Sequence, residues 1–183
     1  MEFTLHYRGA LKSQARPPEK HEIRRHFHKQ LKILWNQRPL KGRENALLNR
    51  DGGEISLIRQ VRNFTFASIV SDCIHLVAEL DITLLRPERP GSIIGQGGDI
   101  DNRLKTLFDA LKVPSDHSDL PANVSPESGE DPFFCLLEDD RLITRVSVST
   151  AQFLEETSDP TEVVLLIRVL TKQLEVLMKT IGL

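Results

Sequence analysis

The sequence predicts an α+β protein: a small, mostly antiparallel or mixed sheet with helices packed on one side. Three stretches carry that expectation. Residues 73–85, CIHLVAELDITLL, alternate apolar and polar side chains through Ile74, Leu76, Ala78, Leu80, Ile82 and Leu84, the period of a half-buried strand. Residues 19–36 place Ile23, Phe27, Leu31, Leu34 and Trp35 on one helical stripe. TEVVLLIRVLT, residues 161–171, reads as a buried strand. With 183 residues the chain suits one domain with a sizeable core.

The first strand is EFTLHYRG, which alternates and ends at Gly9. LKSQARPPEK is a loop, and Pro17 and Pro18 introduce the 19–36 helix. Arg24, Arg25, His28, Lys29 and Lys32 lie largely off its apolar stripe and read as a solvated face. The connection that follows contains Pro39, Gly42, Gly52 and Gly53; EISLIRQVRNFTFASIV then supplies one or two short strands. After the 73–85 strand, RPERPGSIIGQGG breaks regular structure. A helix from Asp101 or Asn102 to Lys112 places Leu104, Leu107, Phe108 and Leu111 on one face. Residues 114–132 form a long polar loop. FFCLLEDDRLITRVSVST resumes as a strand interrupted by an acidic triplet. KQLEVLMKTIGL either closes the chain as a short helix or fuses with the preceding run into a longer one.

Composition excludes several classes. With 39% hydrophobic and 27% charged residues the chain is neither disordered nor membrane-like, and no apolar run approaches the ~20 residues of a span. The N-terminus lacks a secretory layout, and Cys73 and Cys135 read as free thiols, which together point to the cytoplasm. Residues 1–62 carry 14 Lys/Arg against 6 Asp/Glu, and the remainder 10 against 20. Either the basic half meets a polyanion, or the two halves attract each other or a second copy. The His residues form no metal-ligand spacing and read as surface or DNA-proximal, and Trp35 reads as core.

The chemistry-bearing stretch is GQGGDIDNRLKTLFDALKVP, residues 95–114. Asp99 and Asp101, two apart on extended chain, can aim at one point. Asp101 and Lys105 form an i,i+4 pair in the favourable order. Alternatively one Asp N-caps the helix and the other is favoured by its positive end, each stabilising by about 1 kcal/mol or less. A second acidic group, Glu138, Asp139 and Asp140 in LLEDDRL, interrupts an apolar run. Either it is a polar turn, or it meets the helix mouth. If it meets it, each like-charge pair at 4 Å costs roughly 4 kcal/mol, which a hard divalent cation such as Mg²⁺ or Mn²⁺ relieves.

The order of strand, DIDNRLKTLFDAL, loop, LEDDRLI and strand resembles the RusA family of Holliday junction resolvases. The resemblance centres on residues 74–150, with 37–70 and 114–132 as loop-rich insertions in a single 1–183 domain. It implies a compact α+β fold, a homodimer and Mg²⁺-dependent nicking of four-way DNA. By that resemblance Asp99, Asp101 and Asp140 are essential acids, Lys105 is the essential lysine, and Asp139 is an adjacent acid offered to the metal. Asn102 reads as structural and Asp109 as a helix-surface partner of Lys105. The candidate phosphate contacts are Arg24, Arg25, Lys29, Lys32, Arg38, Lys41 and Arg43, because a junction enzyme reads shape mostly through the backbone. Two alternatives stand beside the nuclease: a non-catalytic module that binds branched DNA or protein, and a metal-dependent phosphohydrolase acting on another nucleic acid.

Overall fold

Two parallel strand pairs, joined through matching turns, organise the molecule. The computed structural model describes residues 1–50, 55–87 and 100–175. In chain order the elements are β1 (Glu2–Ala10), α1 (Pro17–Trp35), α2 (Glu44–Leu47), β2 (Ile58–Val61), β3 (Phe64–Val70), β4 (Leu76–Arg86), α3 (Ile100–Leu111), β5 (Phe133–Leu137), β6 (Ile143–Gln152) and β7 (Glu162–Gln173). They form two sheets, ordered β1-β7-β4-β6 and β2-β3-β5. β1 and β4 flank β7 antiparallel, and β6 lies parallel to β4. In the smaller sheet β2 is antiparallel and β5 parallel to β3. The α+β class holds, but the single expected sheet is two.

The reason lies in residues 71–75 and 138–142. β3 and β5 run side by side, then both leave the small sheet through a short 3₁₀ turn, Asp72–Ile74 and Asp140–Leu142. Both enter the large sheet as the parallel neighbours β4 and β6. Each turn is N-capped by the residue before it. Ser71 accepts from the Cys73 N–H and Asp139 accepts from the Arg141 N–H, which satisfies donors a helical turn leaves bare. A charged interruption in an apolar run is thus a change of sheet.

Burial follows from this layout. The inward residues of β4, including Leu76, Ala78, Leu80, Ile82 and Leu84, are at most 2% exposed, as their alternation predicts. They meet Leu5 and Tyr7 of β1, Val163, Leu165, Ile167 and Val169 of β7, and the α1 stripe in one core. β3 and β5 are buried on both faces, because a second cluster of Val61, Phe64, Phe66, Val113, Leu120, Phe133 and Cys135 covers the far side of the small sheet. A strand covered on both faces has no polar side to display, so NFTFASIV and FFCLL lack alternation.

α1 begins at Pro17 and Pro18, with Glu19 reaching back to the Arg16 N–H at 2.7 Å. It buries a broader face than its stripe predicts: His21, Arg24 and His28 are 1%, 2% and 4% exposed. His28 Nδ1 accepts from the Phe134 N–H at 2.8 Å, and its ring packs on Phe133. The surface assignment of His28, and of the buried His21, is therefore corrected: α1 lies between both sheets. Gln30 donates to the His6 carbonyl and accepts from its N–H, covering the outer edge of β1 there. The 172–183 helix is corrected in part. Lys172 and Gln173 belong to β7, which excludes one long helix, and residues 176–183 lie outside the described residues. No helix among the described residues is long and apolar enough to cross a membrane.

Candidate functional site

α3 is a 12-residue amphipathic helix whose buried side chains include Leu107, Ala110 and Leu111. Its two ends have different surroundings. Asp101, in the first turn, and Lys105, one turn later, are exposed. Among the described residues neither makes a side-chain hydrogen bond or ion pair, not even with each other. Beside Lys105 a polar cleft of ≈ 190 Å³ opens between α3 and the loop entering α1. Its walls include Ser13, Gln14, Lys20, Asn102, Lys105 and Asp109. The Lys105 ammonium, with amide and hydroxyl groups beside it, suits a phosphate oxygen, while the Lys20 ammonium in the same wall is already paired with Asp109. Asp99 lies outside the described residues.

The last turn of α3 is heavily tied. Arg24 of α1, 2% exposed, donates to the Asp109 carbonyl at 2.7 Å and the Lys112 carbonyl at 3.2 Å. These are bare acceptors at a helix C-terminus, where positive charge is favoured. Lys20 holds the Asp109 carboxylate at 2.7 Å. Lys112 lies 3.6 Å from the other oxygen of Asp109 and 3.0 Å from Asp140 Oδ2. The backbone closes the same junction: the Val113 N–H donates to the Leu137 carbonyl. Burial lowers the pKa of the Lys112 ammonium, but Asp140, Asp109 and Asp139 outweigh it and raise it overall.

The acidic triplet therefore diverges. Glu138 accepts from the Ser71 hydroxyl at 2.6 Å and from the Asp72 N–H, bridging the two sheet-switching turns. Asp139 caps its own turn. Asp140 pairs with Lys112. Arg141 completes the group with Asp72 at 3.0 Å. Eight residues separate Asp101 from Asp109, roughly 12 Å along the helix axis, and it is the Asp109 end that Asp140 joins. Among the described residues no group of three His, Cys, Asp or Glu side chains is placed to hold one ion. Among the described residues, Asp140 and Asp139 are engaged at the Asp109 end of α3 rather than beside Asp101, and Asp99 lies outside the described residues. The repulsion that argued for a cation is relieved by spreading the carboxylates over separate partners.

Several basic residues are corrected too. Arg24 is buried and internal. Arg25 binds Glu130 at 2.9 Å and Glu127 at 2.9 Å. Lys32 donates to the Gly129 carbonyl at 2.6 Å. Arg25 and Lys32 thus fasten part of the 114–132 loop to α1. Arg43 is half-buried with partners of its own. Lys29, Arg38 and Lys41 are exposed, as a phosphate contact requires. Asp109 pairs with Lys20 and Lys112 rather than Lys105. The sequence reading missed Lys20 and Lys112. The i,i+3 spacing of Asp109 and Lys112 was the only local signal for either, and their other partners are distant in sequence.

No family model, curated protein or solved structure gives a significant match to this chain.

Proposed function

We propose that the protein is a structure-selective endodeoxyribonuclease of the RusA type, acting on four-way DNA at the mouth of α3. One observation carries the reading. In a region where most charges are paired, Asp101 and Lys105 stand exposed without partners among the described residues, and Lys105 lines a polar cleft. Charges left unpaired contribute little to stability and are available to a ligand. Lys105 neutralises negative charge that builds on phosphoryl oxygens during displacement. Asn102, beside Lys105 on α3, and Ser13 and Gln14 of the facing loop offer neutral hydrogen-bonding groups to the phosphate. The acids offered to Mg²⁺ or Mn²⁺ are Asp101 and Asp99, which supply hard oxygen donors. Exposed Lys29, Arg38 and Lys41 add backbone contacts, and a two-fold homodimer would match the symmetry of the junction.

A labelled four-way junction incubated with protein and Mg²⁺ tests the reading. Paired nicks near the branch point are expected, falling at least 100-fold in Asp101→Asn and in Lys105→Ala while both variants stay folded. Preference for a linear duplex or a mononucleotide would replace the resolvase with another phosphohydrolase. A second reading, a module that grips branched DNA without cutting, is favoured by the structural partners found for Glu138, Asp139 and Asp140. Tight junction binding without nicks under any divalent ion would establish it.

A further inference from the structure

The ion pairs at the end of α3 form a connected chain: Lys20, Asp109, Lys112 and Asp140. The chain spans three segments, α1, α3 and the turn that carries β5 into β6. Its three inner members are sheltered. The side chains of Lys112, Asp109 and Lys20 are 15%, 19% and 24% exposed, and Asp140 at 43% forms the outer end. Arg24 lies beneath, fixing the α3 carbonyls from a buried position. Asp140, though half open to solvent, has on its inner side the sheltered Lys112 ammonium at 3.0 Å as a counter-cation. Its neighbours have fixed duties as well, Asp139 as the cap of its turn and Glu138 as the bridge to the sister turn.

The geometry points to Asp140 as the terminal anion of this chain, with Lys112 permanently taking the place of a divalent ion at that carboxylate. Any ion at the mouth of α3 is then held without Asp140. The chain fixes the last turn of α3 against α1, and so sets the angle at which Lys105 and Asn102 face the cleft. This deepens the nuclease reading and rests on it only for the statement about the ion. Lys112 is a positioning residue here, since it acts through the orientation of α3.

Two measurements on the full chain test the inference. The first is a thermal double-mutant cycle in EDTA with Lys112→Met, Asp140→Asn and the pair. Each single variant is expected to lower Tm by several degrees, and the double variant by little more than either, the mark of coupled partners. Lys112→Arg is expected to recover most of the loss. Additive shifts would overturn the chain. The second is Mn²⁺ titration followed by electron paramagnetic resonance. Asp140→Asn is expected to keep Mn²⁺ affinity within about twofold of wild type, and Asp101→Asn to lower it at least tenfold. A tenfold or greater loss in Asp140→Asn would make Asp140 a ligand and overturn the inference. If the wild type binds no Mn²⁺, the metal-dependent nuclease falls, and the thermal cycle alone decides the role of Asp140.

Discussion

His21 sits where acid sensitivity is built into a single side chain. Its ring stacks on Phe133 and meets Phe64 edge-on, with Arg24 Nη1 3.4 Å from Nδ1. Burial, and then the charges of Arg24 and Arg25, push its pKa down to about 4, against a weaker opposing pull from Glu130. Folded His21 therefore stays neutral where the unfolded chain, with an ordinary value near 6.5, takes up a proton. Its contribution is intact above pH 6.5, is lost as pH falls and levels off near 4. The slope approaches about 1 kcal/mol per pH unit inside that window. Burial lowers the pKa of His28 as well and adds in the same direction. Urea unfolding measured from pH 7 to pH 4 should show declining stability, with a shallower slope in His21→Phe. An unchanged slope in that variant would assign the acid loss elsewhere.

At the scale of elements, the 114–132 insertion behaves as a strap on α1. Arg25 is its main fastening, since it binds Glu127, Glu130 and the Ser125 carbonyl. Burial raises the Glu130 pKa, but the Glu127 N–H and Arg25 outweigh it and hold the carboxyl below the usual range. Gly129 passes over α1 at a φ of +89°, where a Cβ would approach Lys32 Nζ to 2.6 Å. The positive φ favours glycine on backbone grounds, and a Cβ would also displace the Lys32 ammonium from the Gly129 carbonyl. Arg25→Ala leaves Glu130, 6% exposed, without its guanidinium. It should cost about 3 kcal/mol in chemical denaturation and make residues 121–129 the first site of limited proteolysis. Cleavage elsewhere first, with stability unchanged, would mean that the strap is held by Lys32, His28 and apolar contacts instead.

For the whole molecule, one core crosses the boundary between the sheets. Ala67, Ile69, Val70, Phe134, Leu136 and Leu137 of the small sheet share a cluster with the large sheet, α1 and α3. The small sheet therefore has no separate core on that face, and the continuous β3-to-β4 and β5-to-β6 paths join the two mechanically. Thermal unfolding followed by far-ultraviolet circular dichroism and by Trp35 fluorescence should give coincident transitions. Trp35 reports well, being 3% exposed and stacked on Phe134 of the small sheet. Two separated transitions would show that the sheets unfold independently.

By itself the sequence determined the α+β class and most elements, because the periods of β1, β4, α1 and α3 are local consequences of burying one face. It also singled out Asp101 and Lys105, although their spacing on the helix suggested a mutual pair and the structure leaves both exposed and apart. Two meanings were decided only by tertiary structure. Arg24 and His28 looked like a wet helix face until the small sheet and the end of α3 closed over them. The acids 138–140 looked like converging ligands until each met a partner from a remote segment: Ser71 and Asp72, the turn backbone, and Lys112. A charge is interpreted by what lies within about 4 Å of it, and spacing along one chain does not fix which distant segment will supply that neighbour.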